Sequence, residues 1–270
     1  MTSQASSSAE ALELTASPLP AHPLVNIRDL GDIAVEGGRV KPELLWRSDD
    51  PTISPREEIQ SLFDRGLSAV LDLRSTPEVN ASPHHSAAEL GVRHHHLPLA
   101  EAAVNPLALV EAAPSMRSPA DVGRWYAGLV RSHVHEVSQG LEVIGTTEGG
   151  VLFHCAAGKD RTGILAAVVL SLLGADRNDI VADYARTQEN LEQIFLRLRA
   201  AAYTQSKKND DGAQRAAAFF ASNHPLLSAT ADSMDSMLTE LGGAPGLRDI
   251  LKTETDPGIL SEHLHTKLVG

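Results

Sequence analysis

Cys155 and Arg161 are the residues whose types and spacing carry the clearest chemistry, because a thiol precedes a guanidinium by six positions. A cysteine thiolate is a strong nucleophile, and a guanidinium offers two parallel donors that fit two oxygens of a phosphate group. Three small residues, Ala156, Ala157 and Gly158, follow the cysteine. A turn of small residues lets successive backbone N–H groups converge on an anion. The spacing therefore predicts a phosphate-binding loop that begins with a nucleophile.

The segments on either side of this loop predict a strand followed by a helix. The apolar run 151–153 is typical of a buried strand, and from Thr162 onward the sequence is helical and apolar all round. The N-terminus of a helix carries partial positive charge and free N–H groups. We therefore expect it to favour ionised sulfur at Cys155 and an anion bound beside it.

A thiolate in this position predicts phosphoryl transfer. Cys155 attacks phosphorus in line while the loop amides and Arg161 stabilise the equatorial oxygens, which yields a cysteinyl-phosphate. We expect this reaction to need no metal and no cofactor. Thr162 is expected to donate a hydrogen bond to the departing sulfur, and His154 to orient the loop from a buried position.

Strand and helix signals alternate through the first two thirds of the chain. The predicted strands are 44–47, 67–73, 92–97 and 151–153. The predicted helices begin at Ser54-Pro55 and at Thr76-Pro77 and cover 121–144, 179–198 and 226–241. This alternation predicts an α/β fold with a central, mostly parallel sheet flanked by helices.

The 270 residues are read as one catalytic domain behind a tail. Residues 1–22 are rich in Ser, Ala and Pro, so we expect them to be disordered and the domain to cover 23–270. Within the domain, 190–245 is expected to form a helical lid or buttress.

Charge and cysteine content exclude several classes of function. The net charge of −12 repels polyanions, so nucleic acid is not an expected partner. The single cysteine excludes an intramolecular disulfide and a multi-cysteine zinc site. No apolar stretch is long enough to insert into a membrane, and no secretory signal is recognisable. These observations favour a cytoplasmic protein, with export by another route left open.

The segment 154–163 resembles the signature loop of the cysteine-dependent protein tyrosine phosphatases. Its second half, 158–163, is most similar to a bacterial branch of that family that also acts on phosphoinositides. The segments 26–31, 45–48, 72–75 and 180–184 resemble other sequence blocks of the same branch. The resemblance implies that Cys155 is the nucleophile and Arg161 the phosphate clamp. It also implies that Lys159 is an additional positive group that favours highly charged substrates.

The resemblance departs from the classical pattern at the general acid. Classical members take this acid from a separate mobile loop, but the region after 97–98 supplies only Glu101 and Glu111. No aspartate lies between Asp72 and Asp121. We therefore expect Asp160, inside the signature loop, to be the general acid, with Asp121 as the open alternative.

The leading hypothesis is thus a hydrolase that dephosphorylates phosphotyrosine and, by resemblance, phosphoserine, phosphothreonine and phosphoinositides. A phosphatase of small nucleotide or sugar phosphates is an alternative that the sequence does not separate. A phosphate-binding pseudophosphatase is a weaker alternative, because a pure binder has no need of Cys155. A sulfurtransferase has no evident use for Lys159 and Asp160, which precede Arg161. Arsenate reduction through an intramolecular disulfide needs a second thiol that the chain lacks.

Two further patterns have structural interpretations. Charged residues alternate in the blocks 28–29, 47–49 and 72–74, which predicts an ion-pair network that holds the loops. Histidines occur at 84–85 and 94–96. In a strand His94 and His96 share one face while His95 points to the other, and no carboxylate stands at a recognisable ligand spacing. We therefore predict no metal site.

Overall fold

The computed structural model describes residues 23–101, 106–205, 215 and 218–270. The predicted tail, 1–22, lies outside these residues, as does part of 190–245. The strands are β1 (Arg28–Asp29), β2 (Ala34–Val35), β3 (Gly38–Arg39), β4 (Leu45–Ser48), β5 (Leu67–Asp72), β6 (Arg93–His96) and β7 (Gly150–His154). A five-stranded sheet has the order β1-β4-β7-β5-β6, in which β1 is antiparallel to β4 and the other pairs are parallel. The predicted α/β class with a mostly parallel sheet is confirmed.

Helices surround this sheet and make up the C-terminal part of the fold. The helices are α1 (Arg56–Asp64), α2 (Thr76–Ala81), α3 (His85–Glu89), α4 (Pro106–Ala112), α5 (Pro119–Ser132), α6 (Val134–Thr146), α7 (Asp160–Leu172), α8 (Arg177–Ala185), α9 (Leu191–Gln205), α10 (Ala231–Glu240), α11 (Gly243–Leu251) and α12 (Pro257–Leu268). The prediction of one helix over 121–144 was wrong, because the backbone leaves the helical region at His133 and separates α5 from α6. A 3₁₀ turn at Arg186–Asn190 likewise divides the helix predicted over 179–198.

The central strands are buried on both faces, and their alternating side chains enter two cores. Leu71 and Phe153 point into the larger core, which they share with α5, α6, α7 and the C-terminal helices. Val70 and Leu152 point into a smaller core on the other face, beneath α1 and α3. All but the first residue of α7 are buried, as its uniformly apolar sequence predicts. The sheet is therefore the middle of three layers.

The strand register brings the carboxyl ends of four parallel strands to one edge. Ser48 of β4 and Asp72 of β5 both pair with His154 of β7, and His96 of β6 pairs with Asp72. In sheets of this kind, ligands bind outside the carboxyl ends of the strands. The loop that leaves β7 therefore begins where the fold favours a site.

Buried ion pairs fix the strands beside this edge, which confirms the predicted network. Asp183 on α8 accepts from Arg28 Nε at 2.6 Å and from Arg47 Nη1 at 2.5 Å. Arg74, after β5, donates to Asp72 at 2.7 Å and to Asp50 at 2.7 Å. Burial acts to raise the pKa of Asp183, but the two arginine charges outweigh it and lower the pKa. Asp183 therefore supplies the negative charge that pairs with two buried guanidinium groups, those of Arg28 and Arg47.

We expect Asp183→Asn to lower the free energy of unfolding by about 3–5 kcal/mol, the usual cost of leaving a buried charge without its partner. The asparagine keeps the shape of the side chain but removes the charge that Arg28 and Arg47 share. Urea unfolding followed by circular dichroism measures the change. Asp179→Asn, at an exposed position of the same helix, is the matched control. Equal stability of the two variants would contradict this role for Asp183.

Candidate active site

The candidate site is the loop between β7 and α7, which runs from Cys155 to Lys159. Cys155 follows directly on the carboxyl end of β7, and only 2% of its surface is exposed. Arg161 lies in the first turn of α7 and is also buried. The structure thus brings the predicted nucleophile and the predicted phosphate clamp to the two ends of one turn, between the strand and the helix that the sequence predicts.

The carbonyl groups of this loop are held by donors from the surrounding scaffold. The bonds are Asn26 Nδ2 to Ala157 O (3.3 Å) and to Gly158 O (3.1 Å), Arg47 Nη2 to Gly158 O (2.9 Å), and the Asp50 N–H to Ala156 O (3.1 Å). In a trans peptide the N–H points opposite to the carbonyl it follows. The N–H groups of Ala157, Gly158 and Lys159 therefore face the other way, and none has a hydrogen-bond partner among the described residues. The loop presents a row of free donors that fits an anion.

Gly158 makes this turn feasible. Its φ of +65° lies in the left-handed region, which a residue with a side chain rarely adopts. A Cβ at this position would also lie 2.5 Å from the carbonyl oxygen of Ser48 and 2.6 Å from the nitrogen of Asp49. Both are backbone atoms that cannot swing aside. The close approach between the loop and the end of β4 therefore requires glycine.

Arg161 is bound by a carboxylate that sequence reasoning missed as a site residue. Its Nη1 donates to Glu78 Oε2 at 2.8 Å and its Nη2 to Glu78 Oε1 at 3.0 Å, while Nη1 also reaches the Leu73 carbonyl at 3.2 Å. Burial acts to raise the pKa of Glu78, but the bonds from Arg161 outweigh it and lower the pKa to about 2. Glu78 also closes the capping box of α2 with Ser75. The Nε edge of the guanidinium has no partner within the described part of the chain.

His154 and Thr162 stand on either side of the nucleophile. His154 is completely buried, and its Nδ1 donates to the Cys155 carbonyl at 3.0 Å, so it holds the loop as the sequence predicts. Burial lowers the pKa of His154 well below its usual range, which makes the imidazole neutral. The hydroxyl of Thr162 is buried and has no hydrogen-bond partner among the described residues, so its predicted contact with the sulfur is not formed here.

Asp160 and Lys159 form a connected group at the start of α7. Asp160 Oδ1 accepts from the hydroxyl of Tyr126 and lies 2.7 Å from Lys159 Nζ. Lys159 Nζ donates further to the carbonyls of Leu226 at 2.7 Å and Ser228 at 3.3 Å. The side chain of Asp160 is 23% exposed, and its Oδ2 has no partner among the described residues. Oδ2 is therefore the oxygen of Asp160 that is open to a further partner.

The other carboxylates weighed as general acids have different partners. Asp121 closes the capping box of α5 with Ser118 and contacts Arg124. Glu101 accepts from the Thr76 N–H at 2.8 Å. Neither is hydrogen-bonded to a residue of the loop, whereas Asp160 follows the loop directly as the first residue of α7. This arrangement favours Asp160 as the candidate acid.

Sequence reasoning identified the loop but not all the residues that hold it. Asn26, Arg47 and Asp183 were noted in charged or family-like blocks, without a link to the loop carbonyls. Glu78 follows Thr76-Pro77, where the sequence predicts only the start of a helix. Its distance from Arg161, 83 positions, leaves no local signal. One signal in the sequence was available for these residues. Charged residues stand before α2 and at the strand ends, and ligands bind at that edge of a parallel sheet.

The protein is an α/β protein with a mostly parallel sheet and a buried cysteine at the carboxyl edge of that sheet. The free amides of the following turn and the arginine at its end form a site that fits an oxyanion. Comparison with known proteins makes the class specific. The chain matches the model of the tyrosine phosphatase family over residues 19–246. The chain therefore belongs to the tyrosine phosphatase family.

Three curated relatives carry related names. A Cupriavidus necator protein assigned by name to the tyrosine-protein phosphatases is 34% identical over 177 residues, 63% of this chain and 62% of the relative. The triple specificity protein phosphatase PtpB of Mycobacterium tuberculosis is 52% identical over 48 residues, 18% of this chain and 17% of the relative. A tyrosine-protein phosphatase of Nostoc commune is 53% identical over 45 residues, 17% of this chain and 15% of the relative. The matches thus span less than two thirds of each relative.

Among the described residues, none of the helices combines the length and the apolar character that crossing a bilayer demands.

We expect Gly158→Ala to weaken the binding of inorganic phosphate at least about 10-fold, because a side chain at this position displaces charge-assisted hydrogen bonds worth about 1.5–3 kcal/mol each. Isothermal titration calorimetry with phosphate measures the affinity. Gly128→Ala on α5 is the control, since its Cβ would meet nothing within 4 Å. Unchanged phosphate affinity in Gly158→Ala would show that the loop does not hold the anion.

Proposed function

We propose that this protein is a protein tyrosine phosphatase that hydrolyses phosphomonoesters through a cysteinyl-phosphate intermediate. The observation that carries the proposal is the row of unpartnered loop N–H groups that lies between Cys155 and Arg161. Membership of the tyrosine phosphatase family supports it. The reaction as proposed uses no metal and no cofactor.

In the first step the Cys155 sulfur attacks phosphorus in line with the leaving oxygen. The loop amides and the free Nε edge of Arg161 donate to the equatorial oxygens, where negative charge gathers in the transition state. Asp160 gives the proton of Oδ2 to the leaving oxygen as the bond to phosphorus breaks. The product is a phosphate monoester of the cysteine sulfur, and the dephosphorylated alcohol departs.

In the second step a water molecule attacks the cysteinyl-phosphate. Asp160, now ionised, takes the proton of this water, and inorganic phosphate and the thiolate are released. The hydroxyl of Thr162, buried without a partner, is proposed to donate to the departing sulfur. Arg161 remains charged throughout, because the charges of Cys155 and Glu78 more than offset burial and raise its pKa. The same groups thus serve both steps.

Phosphotyrosine in a protein is the proposed substrate, with phosphoserine, phosphothreonine and phosphoinositides as further candidates. The name of the Mycobacterium tuberculosis relative speaks of triple specificity, which supports testing more than one class. The sequence prediction that Lys159 favours highly charged substrates stays a proposal. A small phosphomonoester such as a nucleotide is the alternative that the same experiment distinguishes.

We expect Cys155→Ser to lower phosphate release by at least about 10³-fold, because removal of a nucleophile abolishes the covalent route. Release is measured without added metal from a phosphotyrosine peptide, a phosphoserine peptide, phosphatidylinositol monophosphates and common nucleotides. The rank order of kcat/KM among these compounds identifies the substrate class. Phosphate affinity measured in the same variant controls for folding of the loop.

Two results would contradict the proposed function. Release that is equal in wild type and Cys155→Ser would exclude a cysteine nucleophile. Phosphate binding without release from any of these compounds would identify a phosphate-binding protein in place of an enzyme.

We expect Asp160→Asn to slow hydrolysis of an alkyl or phenyl phosphate by about 10²–10⁴-fold, the usual contribution of a general acid. Nitrophenolate is a good leaving group that departs without a proton, so hydrolysis of nitrophenyl phosphate is expected to fall much less. The ratio of kcat for the two substrates, wild type against variant, measures the effect. Asp121→Asn is the control, since it removes the other aspartate candidate. Equal losses with both substrates in Asp160→Asn would refute the assignment.

A further inference from the structure

A cluster of buried donors lies next to the candidate active site, at the carboxyl ends of β5 and β7. It consists of Asp72 at the end of β5, His84 before α3 and His154 at the end of β7, all buried. One ligand atom from each lies within 4.8 Å of the others. The proposed reaction uses His154 only as a support for the loop, and it gives no role to His84.

We propose that Asp72, His84 and His154 form a binding site for one divalent transition-metal ion of the zinc class. The distances between their atoms carry the proposal: His84 Nε2 to His154 Nε2 is 2.9 Å, His84 Nε2 to Asp72 Oδ2 is 3.2 Å, and His154 Nε2 to Asp72 Oδ1 is 3.6 Å. Ligands at the usual bond lengths of about 2.0–2.1 Å around a tetrahedral ion are separated by about 3.3 Å. The first two spacings, which join the three residues through Asp72 Oδ2, lie close to this value, and the third is the distance from His154 to the second oxygen of the carboxylate.

The orientation of His154 supports the same conclusion. A carbonyl oxygen only accepts, so the contact of His154 Nδ1 with the Cys155 carbonyl puts the ring proton on Nδ1. The lone pair of the neutral ring then lies on Nε2 and faces the cluster. Histidines that bind metal in proteins commonly donate their other ring N–H to a backbone carbonyl in this way.

Arg74 holds the carboxylate of the cluster in place. Its Nε donates to Asp72 Oδ1 at 3.0 Å and its Nη2 to Asp72 Oδ2 at 2.7 Å, while Nη1 binds Asp50 at 2.7 Å. Asp72 Oδ1 also accepts from the Arg74 backbone N–H at 3.0 Å, so the lone pair left for an ion is on Oδ2, which lies 3.2 Å from His84 Nε2. The guanidinium charge opposes a cation, but Asp50 shares that charge with Asp72. Arg74 therefore orients the ligand as an outer partner without removing the negative charge from the site.

His94 marks the side from which an ion enters. Its side chain is 30% exposed, its Nε2 lies 3.4 Å from Asp72 Oδ2, and its ring centroid is 4.6 Å from that of His84. A water molecule that enters from this side would complete a tetrahedral set with the three residues. Two or three imidazoles with one carboxylate are a donor set that suits zinc, nickel or copper, whereas magnesium and calcium prefer all-oxygen sites. The chemical class of the ligand follows from these donors.

Ion binding changes the tautomer of His84 but leaves the net charge of the imidazoles unchanged. With no ion, the His84 Nε2–H donates to the lone pair of His154 Nε2. When an ion takes both lone pairs, the ring proton of His84 moves to Nδ1 through solvent. The ion then lies one residue from the nucleophile, connected to it by the ring of His154.

The test measures zinc binding directly and needs no activity, so it is independent of the proposed function. All proteins carry Cys155→Ser, because a free thiol also binds zinc, and none carries a histidine tag. Isothermal titration calorimetry with zinc chloride compares this background with added His84→Gln and with added His85→Gln. The amide of the glutamine at 84 still donates to His154 but is a poor zinc ligand. His85 is exposed and is the matched control.

We expect one zinc ion per chain in the background and in the His85→Gln protein, and an affinity at least about 100-fold weaker with His84→Gln. Loss of an outer partner alone costs about 10–100-fold, and loss of a ligand costs more. Equal zinc affinity in the three proteins overturns the proposal, because the cluster is then only a hydrogen-bonded network.

A second measurement serves if the His84→Gln protein does not fold. X-ray absorption of zinc in the Cys155→Ser background is expected to show nitrogen and oxygen ligands at about 2.0–2.1 Å, with at least two imidazoles. A shell with fewer than two imidazoles overturns the proposal, as does the absence of stoichiometric uptake.

Discussion

The site depends on the direction in which the peptide groups of one short loop point. Free amides converge on an anion only if the carbonyls between them are satisfied elsewhere, and a buried carbonyl without a donor costs about 1–3 kcal/mol. The donors are Asn26 before β1, Arg47 on β4 and the backbone of Asp50 just after β4. Asp183 then holds Arg47, so a helix that never touches the anion fixes the loop through one arginine. The anion site is thus a property of the scaffold more than of the loop.

The pair of Glu78 and Arg161 connects the same loop to α2, the helix that follows β5. A guanidinium buried without an anion is costly, and Glu78 supplies the counter-charge through both of its oxygens. The Glu78 carboxylate binds Nη1 and Nη2 of Arg161, so the Nε edge of the guanidinium stays free on the side of the loop. Arg161 is therefore held in position before any phosphate binds, and less side-chain freedom is lost on binding. Because Glu78 also caps α2, the start of that helix and the phosphate clamp are coupled.

Local patterns predicted the elements and the position of the candidate loop between β7 and α7, because the information for them lies within a few positions. The strand 151–153, the turn of small residues and the apolar α7 are such patterns. The residues that hold the loop come from 26, 47, 78 and 183, and their contacts span 83 to 136 positions. No periodicity carries that information. The single helix expected over 121–144 failed for a related reason, since helical spacing continues across His133 although the backbone does not.

Lys159 shows how the loop and the C-terminal part of the fold depend on each other. Burial acts to lower its pKa, but Asp160 more than offsets this and raises it, so the ammonium stays charged. Its donors reach Asp160 and the carbonyls of Leu226 and Ser228, just before α10. Movement of that segment would release a buried charge next to the loop that carries Cys155. The cost of breaking these bonds therefore ties the position of the segment before α10 to the state of the phosphate-binding loop.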